Sequence, residues 1–83
     1  MLHLRVYSPT PLTQAAADVL GASSLVTSLA VIRDAGVKPS GDLIMADIPR
    51  EAANDVIDEL RALGLQEEGA IQVVPVPTWI SRN

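Results

Sequence analysis

The side chains able to serve as nucleophiles, metal ligands or general acids and bases are few, and they are scattered. His3 is the only histidine, and cysteine is absent. Tight zinc sites draw on several His or Cys ligands. One imidazole among carboxylates therefore predicts neither a metal centre nor a cofactor, and His3 is expected on a strand, facing solvent or an interface. The serines have only that imidazole as a partner, and no G-x-S-x-G elbow presents any of them. Carboxylates adjoin at Asp58-Glu59 and at Glu67-Glu68, but neighbours on a helix point apart. Paired acid–base catalysis is poorly served by them, and a solvated face is the plainer reading. The chain is expected not to be an enzyme.

Two segments remain as candidates for binding. Lys38 lies between Gly36 and Gly41, where a loop can attract an anion. That loop lacks the G-x-G-x-x-G and G-x-x-x-x-G-K-[ST] spacings, and Pro39 removes a backbone donor, so a plain hairpin connection is the stronger reading. Asp47, Arg50, Glu51 and Asn54 form the densest polar cluster at a helix start. Free amides there can hold an anion, although capping accounts for the cluster more simply. Lys38, Arg50 and Asn54 are the candidate ligand contacts that result.

The elements that must carry these residues are written in the hydropathy. Leu2, Leu4 and Val6 alternate with His3, Arg5 and Tyr7, a half-buried strand. Thr10-Pro11 reads as a helix start with Thr as N-cap. Leu12, Ala15, Ala16, Val19 and Leu20 then share one face, and Gly21 stops the helix. Ser24 to Arg33 is a second strand, with Leu25, Thr27, Leu29 and Val31 on one face and Val26, Ser28, Ala30 and Ile32 on the other. Asp34 to Asp42 is a loop rich in turn residues, and Leu43 to Ile48 a third strand, the two strands forming an antiparallel hairpin. Pro49 opens a second helix with acidic residues near its positive end. Ala53, Val56, Ile57, Leu60 and Leu63 make its apolar stripe, and Gly64 ends it. Ala70 to Val76 is the last strand, confined to a sheet edge by Pro75 and Pro77. The order βαββαβ predicts an α+β fold, a ferredoxin-like sandwich: a four-stranded antiparallel sheet with two helices on one face. The opposite sheet face has no covering element, and apolar residues fall on both faces of the second and third strands. Such a face marks an interface.

Composition bounds the rest. Eighty-three residues make one domain, burying only about 60% of the surface of the unfolded chain. Apolar residues make up 48% of the chain, much of it alanine, with one Trp, one Tyr and no Phe. The core must be Leu, Val and Ile with close Ala contacts. The net charge of −4 disfavours nucleic acid and anionic lipid. Base stacking by the central strands would rest on Tyr7 alone, so no nucleic-acid partner is expected. An acylphosphatase-like enzyme of this topology needs an anion cradle after the first strand, near Arg5. Tyr7-Ser8-Pro9-Thr10-Pro11 places two prolines where amide donors are required. The opening Met1-Leu2-His3-Leu4-Arg5 has no basic stretch followed by an apolar run, so no signal peptide is expected, and no apolar run approaches the ~20 residues of a spanning helix.

From Lys38 the chain reads K-P-S-G-D-L-I-M-A-D-I-P-R-E-A-A-N-D-V-I-D-E-L-R-A-L-G-L-Q-E-E-G-A-I, followed by T-W-I-S, and it opens L-H-L-R-V-Y-S. Over nearly its whole length it resembles the N-terminal domain of a prokaryotic membrane-protein family known as domain of unknown function 389. Gly41-Asp42, Asp47, Arg50-Glu51-Ala52-Ala53-Asn54, the Leu60 to Gly64 helix end and Gly69 carry the resemblance. Pro49 stands where a small residue is expected, and Trp79 is bulkier than expected. The resemblance implies a soluble ferredoxin-like segment ahead of a multi-pass region, on the cytoplasmic side of a membrane protein, with a transporter as one form of it. No catalytic residue carries over. Residues 1–78 are then the domain and 79–83 the start of a linker. The expected function is a non-catalytic regulatory or assembly domain, a homo-oligomer through its sheet face or edge strands. The alternative is a sensor of small anions or metabolites through Lys38, Arg50 and Asn54.

Overall fold

A computed structural model describes residues 1–77 and residue 80. The expected linker from 79 onward, Trp79 included, lies outside the described residues apart from Ile80.

The order is β1 (Leu2–Ser8), α1 (Thr10–Ala22), β2 (Ser28–Val37), β3 (Ser40–Ile48), a 3-10 turn (Arg50–Ala52), α2 (Ala53–Ala62), a short α3 (Leu65–Glu68) and β4 (Ala70–Pro75). The four strands form one antiparallel sheet in the order β2-β3-β1-β4. This is the expected α+β, ferredoxin-like arrangement, with β4 and its Pro75 on an edge. Just outside the β1–β4 pairing the Val76 N–H donates to the Met1 carbonyl at 3.0 Å.

Alternation along the central strands builds the core. Leu2, Leu4 and Val6 of β1 and Ile44, Ala46 and Ile48 of β3 are buried. They pack with Ala16 and Leu20 of α1, Ala53, Val56 and Leu60 of α2, and Leu65 of α3. The stripe expected on the second helix is the one it buries, with Ile57 and Leu63 at its margins. Ala16, Ala46 and Ala53 let helix and sheet backbones approach, so a core without Phe fills its volume.

Several boundaries differ from the sequence reading, each for a local reason. Pro9, extended at φ −60° and ψ 142°, occupies the N-cap of α1 and Thr10 is already helical; the Leu12 N–H donates to the Pro9 carbonyl at 2.9 Å. The second strand begins at Ser28 instead of Ser24 and runs on to Val37. Ser24 and Leu25 form a turn after α1, closed by the Val26 N–H donating to the Ser23 carbonyl at 3.3 Å, and the pairing starts only where Ser28 meets Asp47. Its far end is longer because Asp34, in the left-handed region at φ 59°, forms a bulge. Pairing resumes at Gly36 opposite Gly41 and Val37 opposite Ser40. The expected nine-residue loop thereby shrinks to the turn Lys38-Pro39. The second helix opens with a 3-10 turn, and Asp47 belongs to β3, not to that helix's first turn. Gly64 does end α2, at φ 87°, and α3 follows it at once. The Glu68 N–H caps back to the Gly64 carbonyl at 2.9 Å, which seats Leu65 in the core.

Candidate functional site

All helices pack on the face that carries Leu4, Val6 and Ile44. The described residues leave the opposite face of the sheet open, and register assigns its residues in three rows. Ala70, Tyr7, Leu43 and Ile32 form the first; Gln72, Arg5, Met45 and Ala30 the second; Val74, His3, Asp47 and Ser28 the third. Tyr7, Leu43 and Met45 are half-buried by their neighbours alone. Ile32 and Val74 are 45% and 48% exposed. The face is apolar at the hairpin side of the sheet and polar along the His3 row.

That polar row is closed on itself. His3 Nδ1 lies 2.9 Å from Asp47 Oδ1, and the Ser28 hydroxyl donates to Asp47 Oδ2. Asp47 is buried although it faces outward, because its neighbours cover it. The carboxylate stands in the middle of the row and the imidazole at its end. A serine nucleophile needs the reverse order, with imidazole against the hydroxyl. Here the serine and the histidine are both held by the carboxylate, so the row orients side chains and does not activate one. Among the described residues no group of three or more His, Asp or Glu residues stands together to hold a metal.

A second carboxylate is buried on the helix side. Asp42 is 1% exposed. Its Oδ2 accepts from Thr13 Oγ1 at 2.5 Å and from Arg33 Nη1 at 3.4 Å, and its Oδ1 accepts from the Asp34 N–H at 2.8 Å. Thr13 Oγ1 also lies 3.2 Å from Ser8 Oγ. One carboxylate thus ties the start of α1 to the bulge of β2 and the end of β1. The Thr13 hydrogen bond, then the Asp34 amide, then Arg33 hold the Asp42 carboxyl below the ordinary value of 3.8. A depressed folded-state value contributes stability above the unfolded value, and that contribution is lost as pH falls through the folded one. The urea midpoint of the native chain should therefore fall more steeply below about pH 4 than that of the Asp42→Asn variant. Equal pH profiles for the two would remove this role for Asp42.

The residues expected to bind a ligand are not gathered into one place. Lys38 is exposed in the turn between β2 and β3. Arg50 opens the 3-10 turn after β3, and Asn54 lies in the first turn of α2; both are exposed. The nine residues of β3 separate Lys38 from the other two, a distance of roughly 30 Å. Two shallow clefts indent the surface. One of about 310 Å³ lies between α1 and α2; one of about 400 Å³ lies beside Ile57, Arg61 and Ile71. Neither is lined by Lys38, Arg50 or Asn54.

Sequence reasoning placed Asp42 in a loop and named no role for Thr13 or Asp47's partners. Thr13 offered one signal, a polar residue within the apolar arc of the first helix. The Ser28–Asp47–His3 row had none, because it needs the strand register. No protein-family model matches the chain, and no curated protein is similar to it.

Proposed function

We propose that the chain is a non-catalytic assembly domain that pairs with a second copy through the open face of its sheet. The observation that carries this reading is the run of apolar side chains in register across that face, Tyr7–Leu43–Ile32 and Met45–Ala30, on the side no helix covers. Charge distribution selects the occupant. The helical layer carries Asp18, Glu51, Asp55, Asp58, Glu59, Glu67 and Glu68 against Arg50 and Arg61, so copies repel each other there. The open face carries one carboxylate, Asp47, and one guanidinium, Arg5.

Size agrees. β2 is ten residues long, about 30 Å, and four strands at ~4.8 Å spacing with side chains reach roughly 20 Å. Two such faces bury on the order of 1,200 Å², the lower end of stable interfaces. Association in the micromolar range is expected. In the setting that the resemblance implies, pairing would bring together two copies of a cytoplasmic segment and so regulate or assemble the membrane region. No helix among the described residues is long and apolar enough to cross a membrane. The alternative, a sensor of small anions, has less support, because its three candidate residues lie at opposite ends of β3.

Sedimentation velocity from about 1 µM to 1 mM tests the pairing. The mass should rise from 8.8 kDa toward twice that value. Leu43→Glu places a charge in the middle of the face and should weaken association by about a hundredfold or more, with unchanged circular dichroism. A native chain that stays monomeric at the highest concentration overturns the reading.

A further inference from the structure

The cleft between α1 and α2 lies on the other layer and is independent of the open face. Its floor and one wall are apolar: Val19 and Ala22 of α1, Leu25 of the loop that follows, and Ala52 and Val56 of the second helical segment. Leu25 is 53% exposed at its edge. The other wall is acidic. Glu51, Asp55 and Glu59 are spaced four apart and form one row about 12 Å long, two turns of helix. No Lys or Arg lines the cleft. The three carboxylates take part in neither ion pair of the described residues, His3–Asp47 and Arg33–Asp42.

From this geometry we infer that the cleft is a docking groove for a basic amphipathic helix of a partner protein. At about 310 Å³ it stands at the lower end of small-molecule sites, ~300–1,000 Å³, and it is partly open to solvent. It suits a few aliphatic anchors better than an enclosed metabolite. The carboxylate row matches Lys or Arg at helical spacing, which is the helix-in-groove mode of recognition. Rim charges set approach and register, and the apolar floor supplies the contact that excludes water. A second copy of this chain is a poor occupant, since its own helices present carboxylates.

The probe is an 18-residue Leu/Lys peptide patterned as an amphipathic helix, titrated into the ¹⁵N-labelled full chain. A scrambled peptide of the same composition is the control. The expected result is saturable amide shifts confined to 19–25 and 51–59, with the scrambled peptide binding about tenfold more weakly or worse. The triple variant Glu51→Gln, Asp55→Asn, Glu59→Gln should lose about tenfold in affinity, and Leu25→Ser, at an exposed position, should lose affinity without loss of fold. Glu67→Gln with Glu68→Gln, outside the cleft, should bind as the native chain does. Equal binding of the two peptides shows attraction by charge alone and overturns the proposal. Shifts centred on the open sheet face, or no saturable binding, overturn it as well.

Discussion

Gly41→Ala should leave little of the chain folded at room temperature. Gly41 sits at φ +139°, backbone that residues with a Cβ rarely adopt. A Cβ there would stand 2.3 Å from the Ser8 carbonyl oxygen and 3.1 Å from the Pro9 Cα. Neither atom can retreat. Ser8 ends the central strand β1, paired with Asp42 on one side, and Pro9 is the cap of α1. Moving them pulls apart the Asp42–Thr13 tie as well. A chain of 83 residues is held by roughly 4–12 kcal/mol, and a backbone clash combined with a forbidden φ consumes a large part of that. Gly21→Ala is the internal contrast. Its Cβ meets nothing nearer than Leu29 Cδ2 at 3.7 Å, and alanine in a helix is favoured over glycine by about 0.5–1 kcal/mol. Amide dispersion in a proton–nitrogen NMR spectrum and the thermal midpoint distinguish the two. A Gly41→Ala variant as stable as the native chain would show that the β1 end and the hairpin do not approach as described.

The second large effect is Leu4→Ala. Leu4 is fully buried in the strand that lies between β3 and β4, opposite Ala46 and Val73. It shares the core with Leu20, Ile44, Ile48, Leu60 and Leu65, the other large side chains that are fully buried. A strand hydrogen-bonded on both sides cannot shift to close the vacancy, so the cost should lie near the upper part of the range for leucine truncation, about 3–5 kcal/mol. At a slope of about 1 kcal/mol/M the urea midpoint should drop by some 3–5 M. A loss below about 1 kcal/mol would mean that the helices collapse onto the sheet and the core is more plastic than its alanine contacts imply.

Periodicity made most of the fold legible. The stripe Ala53–Leu63 and the alternation of Leu2–Val6 each report one face of one element, which is local information. The antiparallel hairpin was legible but its loop reads too long, because Asp34, Gly36 and Gly41 look like loop residues, whereas here they carry a bulge and let two strands continue past it. Asp42 was misjudged with them. A buried aspartate is stable only with donors supplied from elsewhere, and those donors, Thr13 and the Asp34 amide, come from separate elements. The open face was legible as apolar residues on both sides of a strand. Its internal order was not, because the rows exist only once register is fixed. The same limit applies to Lys38 and Arg50, near each other in the chain and far apart on the sheet.

The contact between Val76 and Met1 has a mechanical consequence. β1 and β4 are antiparallel neighbours, and the start of one lies against the end of the other. A force applied along the chain from both sides pulls this pair apart like a zipper, loading one hydrogen bond at a time and starting at Met1 and Val76. Strands sheared lengthwise share the load over many bonds, and here nothing is sheared. Forced opening is governed by the barrier to unfolding, not by equilibrium stability. A tug from a neighbouring segment would therefore strip β4 from the sheet one bond at a time, exposing the edge of β1.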